Sequence, residues 1–150
     1  DTVLFEKCQK FLKKNHFFSY DNAIQNTHYI NERLKALPEI VKQRNQNAYL
    51  YHQHLEEKNV FKLNYSKDIV YWRYSALFKK NRTLLVEKAK ENGNIITTHY
   101  KGLHQFRTGE TLTNSEMISN QIINLFVKPE TSIEQIHNTI AYINNFDENS

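Results

Sequence analysis

Apolar residues in the first part of the chain recur every three or four positions, which is the spacing of one face of an α-helix. One such stripe covers residues 2–16, and a longer one runs over residues 23–57. Pro38 interrupts the longer stripe. Because proline lacks a backbone N–H and crowds the preceding turn, it predicts either a kink or the start of a new helix. The pattern therefore predicts a helical lead-in over residues 1–57.

The second part of the chain changes to the alternating pattern of β-strands. Residues 70–78 are rich in aromatic and β-branched side chains, and their alternation predicts a strand with Trp72 on one face and Arg73 on the opposite face. Two further runs, residues 95–100 and residues 122–127, have the same character. The spacing predicts three short strands.

Helix signals separate these strands. Asn81 is a candidate N-cap for a helix that an αL glycine, Gly93, would end. Residues 113–116 have the form of a capping box ahead of a short helix, and a second box, from Thr131 to Glu134, precedes the last helix. The apolar stripe of that last helix consists of Ile133, Ile136, Ile140, Ile143 and Phe146.

Together these elements predict an α+β fold, in which long N-terminal helices precede a small, three-stranded, mainly antiparallel sheet packed with helices. The chain has 150 residues and no stretch rich in proline, glycine and serine, so we expect one domain, residues 1–150. Within it, residues 1–57 form the lead-in, residues 58–146 form the sheet layer, and residues 147–150 form a polar tail.

Composition limits the cellular compartment and the membrane association that we expect for the protein. Cys8 is the only cysteine, which excludes an internal disulfide and favours a cytoplasmic protein. No apolar stretch approaches the roughly 20 residues that cross a bilayer, and the first residues do not form a signal peptide. We therefore expect no membrane partner. Because the chain begins with Asp1, we expect residue 1 to lie inside a longer parent protein.

The charge of the chain bears on its partners. A net charge of +4 permits an anionic ligand without requiring one. Aromatic and basic residues are mixed in residues 61–65, as they are in some RNA-binding modules. Acidic residues such as Glu56, Glu57 and Asp68 are interleaved with the basic ones, whereas an RNA-binding face concentrates Lys and Arg. We therefore expect no nucleic-acid partner, and RNA binding is only an alternative hypothesis.

A dense group of proton-handling side chains lies where the second predicted strand ends. His99, Tyr100, Lys101 and His104 bring two imidazoles, a phenol and an ammonium onto one short segment. They indicate a site, although histidine and tyrosine also occur in loops as ordinary surface groups.

No metal site is predicted. The histidine pair His52 and His54 lies on the long predicted helix, where residues two apart point to different faces and cannot share one ion. Cys8 has no cysteine partner and is expected to be a small core residue.

Four segments carry motifs in a fixed order: residues 24–51, Trp72-Arg73-Tyr74, Tyr100-Lys101-Gly102-Leu103-His104, and residues 116–129. They resemble the long helix, the first small-domain strand, the Y-x-P-L-H loop and the segment after it in the DegT/DnrJ/EryC1/StrS family. Members of that family are pyridoxal-phosphate-dependent aminotransferases that act on keto sugars attached to nucleotides. The resemblance covers nearly the whole chain and implies the C-terminal small domain of such an enzyme.

The resemblance also implies where substrate would bind. In the family, the Y-x-P-L-H loop lines a cleft between two domains and a partner subunit. Tyr100 and His104 are therefore expected to face the sugar, and Lys101 and Arg73 are available to the diphosphate. The alternative is structural: Tyr100 and His104 fix the loop, and Arg73 is a solvated strand residue.

The cofactor of the family, pyridoxal phosphate, would be held mainly elsewhere. Family members often carry an N-Y-R-M/L motif, whose asparagine reaches the cofactor phosphate across a homodimer interface. The matching stretch is Ser19-Tyr20-Asp21-Asn22, in which only the tyrosine agrees, and Ser19, Tyr20 and Asn22 are the expected cofactor residues. The Schiff-base lysine and the acidic partner of the pyridine nitrogen belong to a larger domain, and their motifs are absent here. No catalytic residue is assigned, and the chain alone is expected to be inactive.

Two readings of function follow, with RNA binding as a third. The chain is the C-terminal portion of an aminotransferase that acts on nucleotide-linked keto sugars in amino-sugar or surface-polysaccharide synthesis. Alternatively, it is a stand-alone binding or regulatory module derived from that domain. Whether the chain belongs to an active enzyme therefore stays open at the level of the sequence.

Overall fold

The structure is a computed structural model that describes residues 27–98 and 112–148. The chain divides into two compact units, Asp1–Pro38 and Glu39–Ser150. The elements of the described residues, in chain order, are helix α1 (Thr27–His54), strands β1 (Val60–Lys62) and β2 (Tyr74–Phe78), helix α2 (Arg82–Glu91), strand β3 (Ile96–Thr97), helix α3 (Thr113–Gln121), strand β4 (Ile122–Leu125) and helix α4 (Ile133–Asn144). The predicted helix at residues 2–16 lies outside the described residues.

Helix α1 has 28 residues and includes Pro38, so of the two predicted alternatives, a kink or a new helix, the new helix is wrong. A proline removes one helical hydrogen bond, and the bonds on either side of it maintain so long a helix. In the second unit, α1 buries Asn47, Ala48 and Tyr51. In the first unit, the described part of α1 exposes the apolar side chains of Tyr29, Ile30, Leu34 and Leu37.

The sheet confirms the predicted α+β class and its antiparallel character. Within the described residues it has four strands in the order β1-β2-β4-β3, and each neighbouring pair is antiparallel. The prediction of three strands missed β1. With three residues, β1 is too short to show alternation in the sequence. Its pairing with β2, in which Val60 lies opposite Phe78, makes it a strand.

Strands β2 and β4 are shorter than predicted, because side chains of α1 bind the backbone beyond their ends. Arg44 donates to the carbonyl oxygens of residues 71 and 72, so β2 begins at Tyr74 and not at residue 70. Asn47 donates to the carbonyl oxygens of residues 127 and 128, and β4 ends at Leu125. Strand β3 is confirmed at Ile96–Thr97, within the predicted residues 95–100.

The two faces of the sheet differ. On the core face, β2 and β4 contribute the buried side chains of Tyr74, Ala76, Phe78, Ile123 and Leu125 to one cluster with α1, α2 and α4. We call the opposite side the second face. It comprises Ser75, Leu77, Thr97 and Asn124, together with Arg73 and Phe126 just beyond the strand ends.

The predicted helix ends are correct in two cases and displaced in two. The Asn81 side chain accepts from the Leu84 N–H at 3.1 Å, and Gly93 has φ 73°, as predicted. Helix α3 begins after Leu112 without a side-chain cap, so the capping box predicted at residues 113–116 is wrong. At α4 the box is one residue later than predicted, formed by Ser132 and Gln135. Of its predicted stripe, the last helix buries Ile136, Ile140 and Ile143, whereas Ile133 begins the helix and is exposed, and Phe146 is buried just after the helix ends.

Candidate functional site

Among the residues that the sequence proposes for substrate and cofactor, the structure describes Arg73. Tyr100, Lys101 and His104, proposed for substrate, lie outside the described residues. The proposed cofactor residues Ser19, Tyr20 and Asn22 also lie outside them. The geometry available for a site is therefore that around Arg73.

The segment before β2 is held by two anchors. The Arg44 Nη1 donates to the carbonyl oxygens of Tyr71 and Trp72, each at 3.3 Å. Tyr71 is buried, its ring stacks on Tyr65 with centroids 5.4 Å apart, and its hydroxyl accepts from the Ser66 N–H at 2.8 Å. With Tyr71 turned inward, Trp72 points outward and is 67% exposed. The prediction that Trp72 and Arg73 lie on opposite faces of a strand is wrong, because both residues precede the strand.

Arg73 lies against two aromatic rings. Its Cζ is 3.7 Å from the ring centroid of Phe126 and 5.2 Å from that of Trp72. The Cζ of Arg44 is 5.5 Å from the Trp72 centroid, and the Nζ of Lys128 is 5.6 Å from that of Phe126. We call these five residues the arginine–aromatic cluster. Stacked guanidinium groups of this kind keep hydrogen-bond donors at their edges free for an anion.

The cluster has an excess of positive charge. In the described part of the chain, the ion pairs are Lys35–Glu32, Lys42–Glu39 and Lys58–Glu56, and none of them includes a residue of the cluster. Burial, and secondly the nearby charge of Arg44, lower the pKa of Arg73 from its usual value. The Arg73 Nη1 is buried and has no hydrogen-bond partner among the described residues. An anion bound here would offset both the repulsion and the missing hydrogen bond.

A second buried donor on the same face also lacks a partner. Asn124 is 1% exposed, and its Oδ1 accepts from the Ser75 hydroxyl at 2.7 Å. Its Nδ2 has no partner among the described residues. Four buried side-chain atoms share this property in that part of the chain, and two of them, on Arg73 and Asn124, belong to the second face.

A small cavity adjoins the cluster. Its volume is about 310 Å³, and its lining includes Leu63, Val70, Trp72, Arg73 and Ser75. Leu63 and Val70 are exposed, as Trp72 is. The cavity thus combines an aromatic ring, aliphatic side chains and one guanidinium group, a lining suited to a flat ligand that carries a negative charge.

A larger cavity of about 1020 Å³ runs along α4 and the end of α2, and its lining includes Tyr51, Asn94 and Thr139. Burial raises the pKa of Tyr51 to about 12, although a hydrogen bond with Thr139 acts in the opposite direction. The Thr139 Oγ1 donates to the Gln135 carbonyl at 2.8 Å and lies 3.3 Å from the Asn94 Oδ1. Tyr51 is therefore a neutral phenol near pH 7, which gives this cavity no base or nucleophile at that position.

The sequence did not assign Arg44, Phe126 or Lys128 to a site. The available signal was the antiparallel pairing of two predicted strands, because it brings the residues that follow one strand beside those that precede the other. Phe126 meets Arg73 in this way.

The described residues do not by themselves fit pyridoxal phosphate. Covalent attachment of that cofactor needs a lysine enclosed in a pocket, and no lysine among the described residues is buried. Within the same residues, no group of three or more His, Cys, Asp or Glu is placed to hold a metal ion. None of the described helices combines the length and apolar character required to cross a membrane.

Solved structures give the fold a context. The chain superposes with TM-score 0.68 and 20% identity on DesV from S. venezuelae, covering 77% of this chain and 34% of that one. For a DegT DnrJ EryC1 StrS aminotransferase from Brucella abortus the TM-score is 0.67 and the identity 20%, and the match covers 78% of this chain and 34% of that one. For DesI, solved in the presence of its TDP-sugar product, the TM-score is 0.64 and the identity 17%, and the match covers 74% of this chain and 32% of that one. The chain thus spans about a third of the length of these proteins. A search of curated protein sequences found no match.

A family model places the sequence more directly. The model of the DegT/DnrJ/EryC1/StrS aminotransferase family matches residues 21–144, which is most of the 150-residue chain. The matched range contains all four strands and all four helices of the described residues. The chain belongs to the DegT/DnrJ/EryC1/StrS aminotransferase family.

Proposed function

We propose that this chain is the small-domain portion of a pyridoxal-phosphate-dependent aminotransferase that acts on nucleotide-linked keto sugars. In this proposal it binds the diphosphate of the substrate, while a larger domain supplies the covalent cofactor site. The observation that carries the proposal is Arg73, a guanidinium group held against two rings, with a buried donor unpartnered among the described residues and no carboxylate paired to it there.

The anion chemistry of the cluster supports a diphosphate. Phosphate oxygens accept charge-assisted hydrogen bonds from guanidinium groups, and a second cation nearby strengthens the attraction. Arg44 supplies that second charge, although its Nη1 already donates to backbone carbonyls. Arg73 is therefore the direct ligand in our proposal, and Arg44 adds positive potential and fixes the backbone.

The other proposed contacts rest on the family motifs. Tyr100 and His104 contact the sugar, and Lys101 assists Arg73 at the diphosphate. Ser19, Tyr20 and Asn22 reach the cofactor phosphate of a partner subunit, so the working form is a homodimer. We propose a cytoplasmic setting, in keeping with the single cysteine.

A binding module without catalysis is the second candidate. It is favoured by the arginine–aromatic cluster, because a stacked guanidinium group binds an anion without needing a covalent cofactor. Such a module would bind the nucleotide sugar and leave it unchanged.

Amine formation separates the two candidates. The chain, in its native protein and together with the lysine-bearing domain, is supplied with pyridoxal phosphate, glutamate and a TDP-linked keto sugar, and the amino sugar is measured by mass spectrometry. We expect Arg73→Ala to lower kcat/KM by about tenfold or more, the loss typical of a charge-assisted hydrogen bond. We expect His104→Ala to lower kcat while the cofactor absorbance stays intact.

Arg33→Ala is the matched control, because Arg33 also lies over an aromatic ring, Tyr29, at 5.2 Å. It should leave the kinetics unchanged. Binding of the TDP-linked sugar without amine formation would support the binding module instead. If Arg73→Ala leaves kcat/KM for amine formation unchanged, Arg73 does not bind the substrate.

A further inference from the structure

Trp72 is held in an exposed position by its neighbours. It is the only tryptophan of the chain and is 67% exposed, whereas the tyrosines on either side, Tyr71 and Tyr74, are buried. Its carbonyl accepts from Arg44, which fixes the backbone from which the ring projects. The exposed side chains of Leu63 and Val70 line the same cavity, so the ring belongs to an apolar patch and is not a single exposed residue.

The surroundings of the ring point to a ligand with two chemical parts. The guanidinium groups of Arg73 and Arg44 lie 5.2 Å and 5.5 Å from the ring centroid. A flat ring flanked by cations suits a ligand that stacks at one end and carries negative charge at the other. Nucleoside phosphates have this construction, because an aromatic base is joined through a sugar to phosphate groups.

The adjoining cavity limits how much of such a ligand fits. At about 310 Å³, it lies near the lower end of the range for small-molecule pockets. Leu63 and Val70 extend its apolar surface beside Trp72, and Arg73 borders it. A base fits this space, while the phosphates must lie outside it, toward the arginine.

We propose that the exposed ring of Trp72 is the stacking surface for the base of a nucleoside diphosphate whose phosphates lie on Arg73. This rests on the proposed function for the diphosphate and adds the group that recognises the nucleoside. Arg73 then binds any phosphate, and Trp72 makes nucleotides bind more tightly than phosphates that lack a base.

The test compares a ligand that has a base with one that lacks it. TDP and pyrophosphate are titrated separately into the 150-residue chain, and the dissociation constants are measured by calorimetry. In the unmodified chain we expect TDP to bind at least about tenfold more tightly, the scale of base stacking on an aromatic side chain. Quenching of the single tryptophan by TDP, and not by pyrophosphate, provides an independent signal.

Three variants assign the effect to the ring. Trp72→Ala should remove the preference for TDP, while pyrophosphate still binds because Phe126 remains against Arg73 at 3.7 Å. Trp72→Phe should restore part of the preference. Tyr29→Ala is the control, since Tyr29 is 59% exposed and has one arginine over its ring. It should change neither constant. Circular dichroism is expected to show that all three variants keep the fold, because both side chains are exposed.

The outcomes distinguish this inference from the proposed reaction. If the unmodified chain binds TDP and pyrophosphate equally, or if Trp72→Ala keeps the preference, the base subsite is wrong while the anion site stands. If neither ligand binds, the subsite is wrong in this chain. The proposed reaction is decided separately by amine formation, and a transaminating protein with an unchanged KM in Trp72→Ala overturns only the subsite.

Discussion

The two faces of the sheet differ in whether their buried polar side chains are hydrogen-bonded. Beside the core face, the buried amides of Asn47 and Asn59 bind backbone carbonyls. The Asn47 Nδ2 donates to the carbonyl of Lys128 at 3.0 Å. The Asn59 Nδ2 donates to the carbonyls of Ile143 and Asn144, each at 2.8 Å, at the end of α4. These amides connect distant elements and complete the core.

On the second face, buried donors are left over. The Arg73 Nη1 and the Asn124 Nδ2 have no partner among the described residues. A buried polar group without a partner destabilises a fold by roughly 1–3 kcal/mol. Within the described residues, these buried amides beside the core face are bonded, whereas the second face keeps two buried donors that no described residue uses.

The largest expected difference between the faces is in apolar packing. Phe78 is fully buried on the core face, where its ring meets Phe146 at 5.6 Å, whereas its neighbour Leu77 is half-buried on the second face. Phe78→Ala should lower the free energy of unfolding by about 3–5 kcal/mol through lost burial and a cavity. Leu77→Ala should cost roughly 1–2 kcal/mol. Urea unfolding measures both, and equal losses would contradict a one-sided core.

A pair of asparagine variants tests the polar contrast directly. Asn47 and Asn124 are each 1% exposed, but the Nδ2 of Asn47 is bonded, whereas that of Asn124 has no partner in the part of the chain that the structure describes. Asn47→Leu should cost about 2–3 kcal/mol, because it leaves buried carbonyls without a donor. Asn124→Leu should cost less, about 1 kcal/mol or below, because it removes a donor with no partner among the described residues, although the half-buried Ser75 hydroxyl loses its acceptor. Thermal unfolding of the two variants shows whether each substitution raises or lowers the stability of the protein.

The same pair of variants has a clear contrary outcome. If Asn124→Leu destabilises the protein as much as Asn47→Leu does, the Asn124 amide contributes to folding, and the two faces are not different in this respect. A third variant, Asn124→Asp, adds a buried negative charge and should destabilise the protein in either case.

Local signals predicted two helix ends correctly, whereas the two capping boxes were wrong or displaced by one residue. Asn81 and Gly93 specify their helix ends through their own side chain or backbone, and both predictions are confirmed. The strand ends were wrong because they depend on residues far away in sequence: Arg44 and Asn47 on α1 bind the backbone of segments that follow 27 and 81 residues later. No local pattern carries that information.

For the candidate site, the sequence supplied Arg73 through a motif and missed its surroundings. The ring of Phe126 is only 3.7 Å from the Arg73 Cζ, yet the two residues are distant in sequence and meet through strand register. Alternation wrongly placed Trp72 within the strand, because it does not show where the strand begins. Register and strand ends are tertiary properties, and the site depends on both.

The smallest expected effect concerns a titratable group beside the core face. The His52 Nδ1 lies 3.2 Å from the Tyr74 hydroxyl. Burial, and secondly the charge of Lys62, lower the pKa of His52 below 6.5, although Glu57 acts in the opposite direction. The unfolded chain therefore binds the proton more readily than the folded chain, and this contribution to stability is present above about pH 6.5 and lost as the pH falls through the folded pKa. His52→Gln should reduce the loss of thermal stability below that pH by a small amount, since the imidazole is half-exposed. An unchanged pH profile would mean that the polar groups beside the core face are insensitive to protonation at this position, which would make the contrast with the second face sharper.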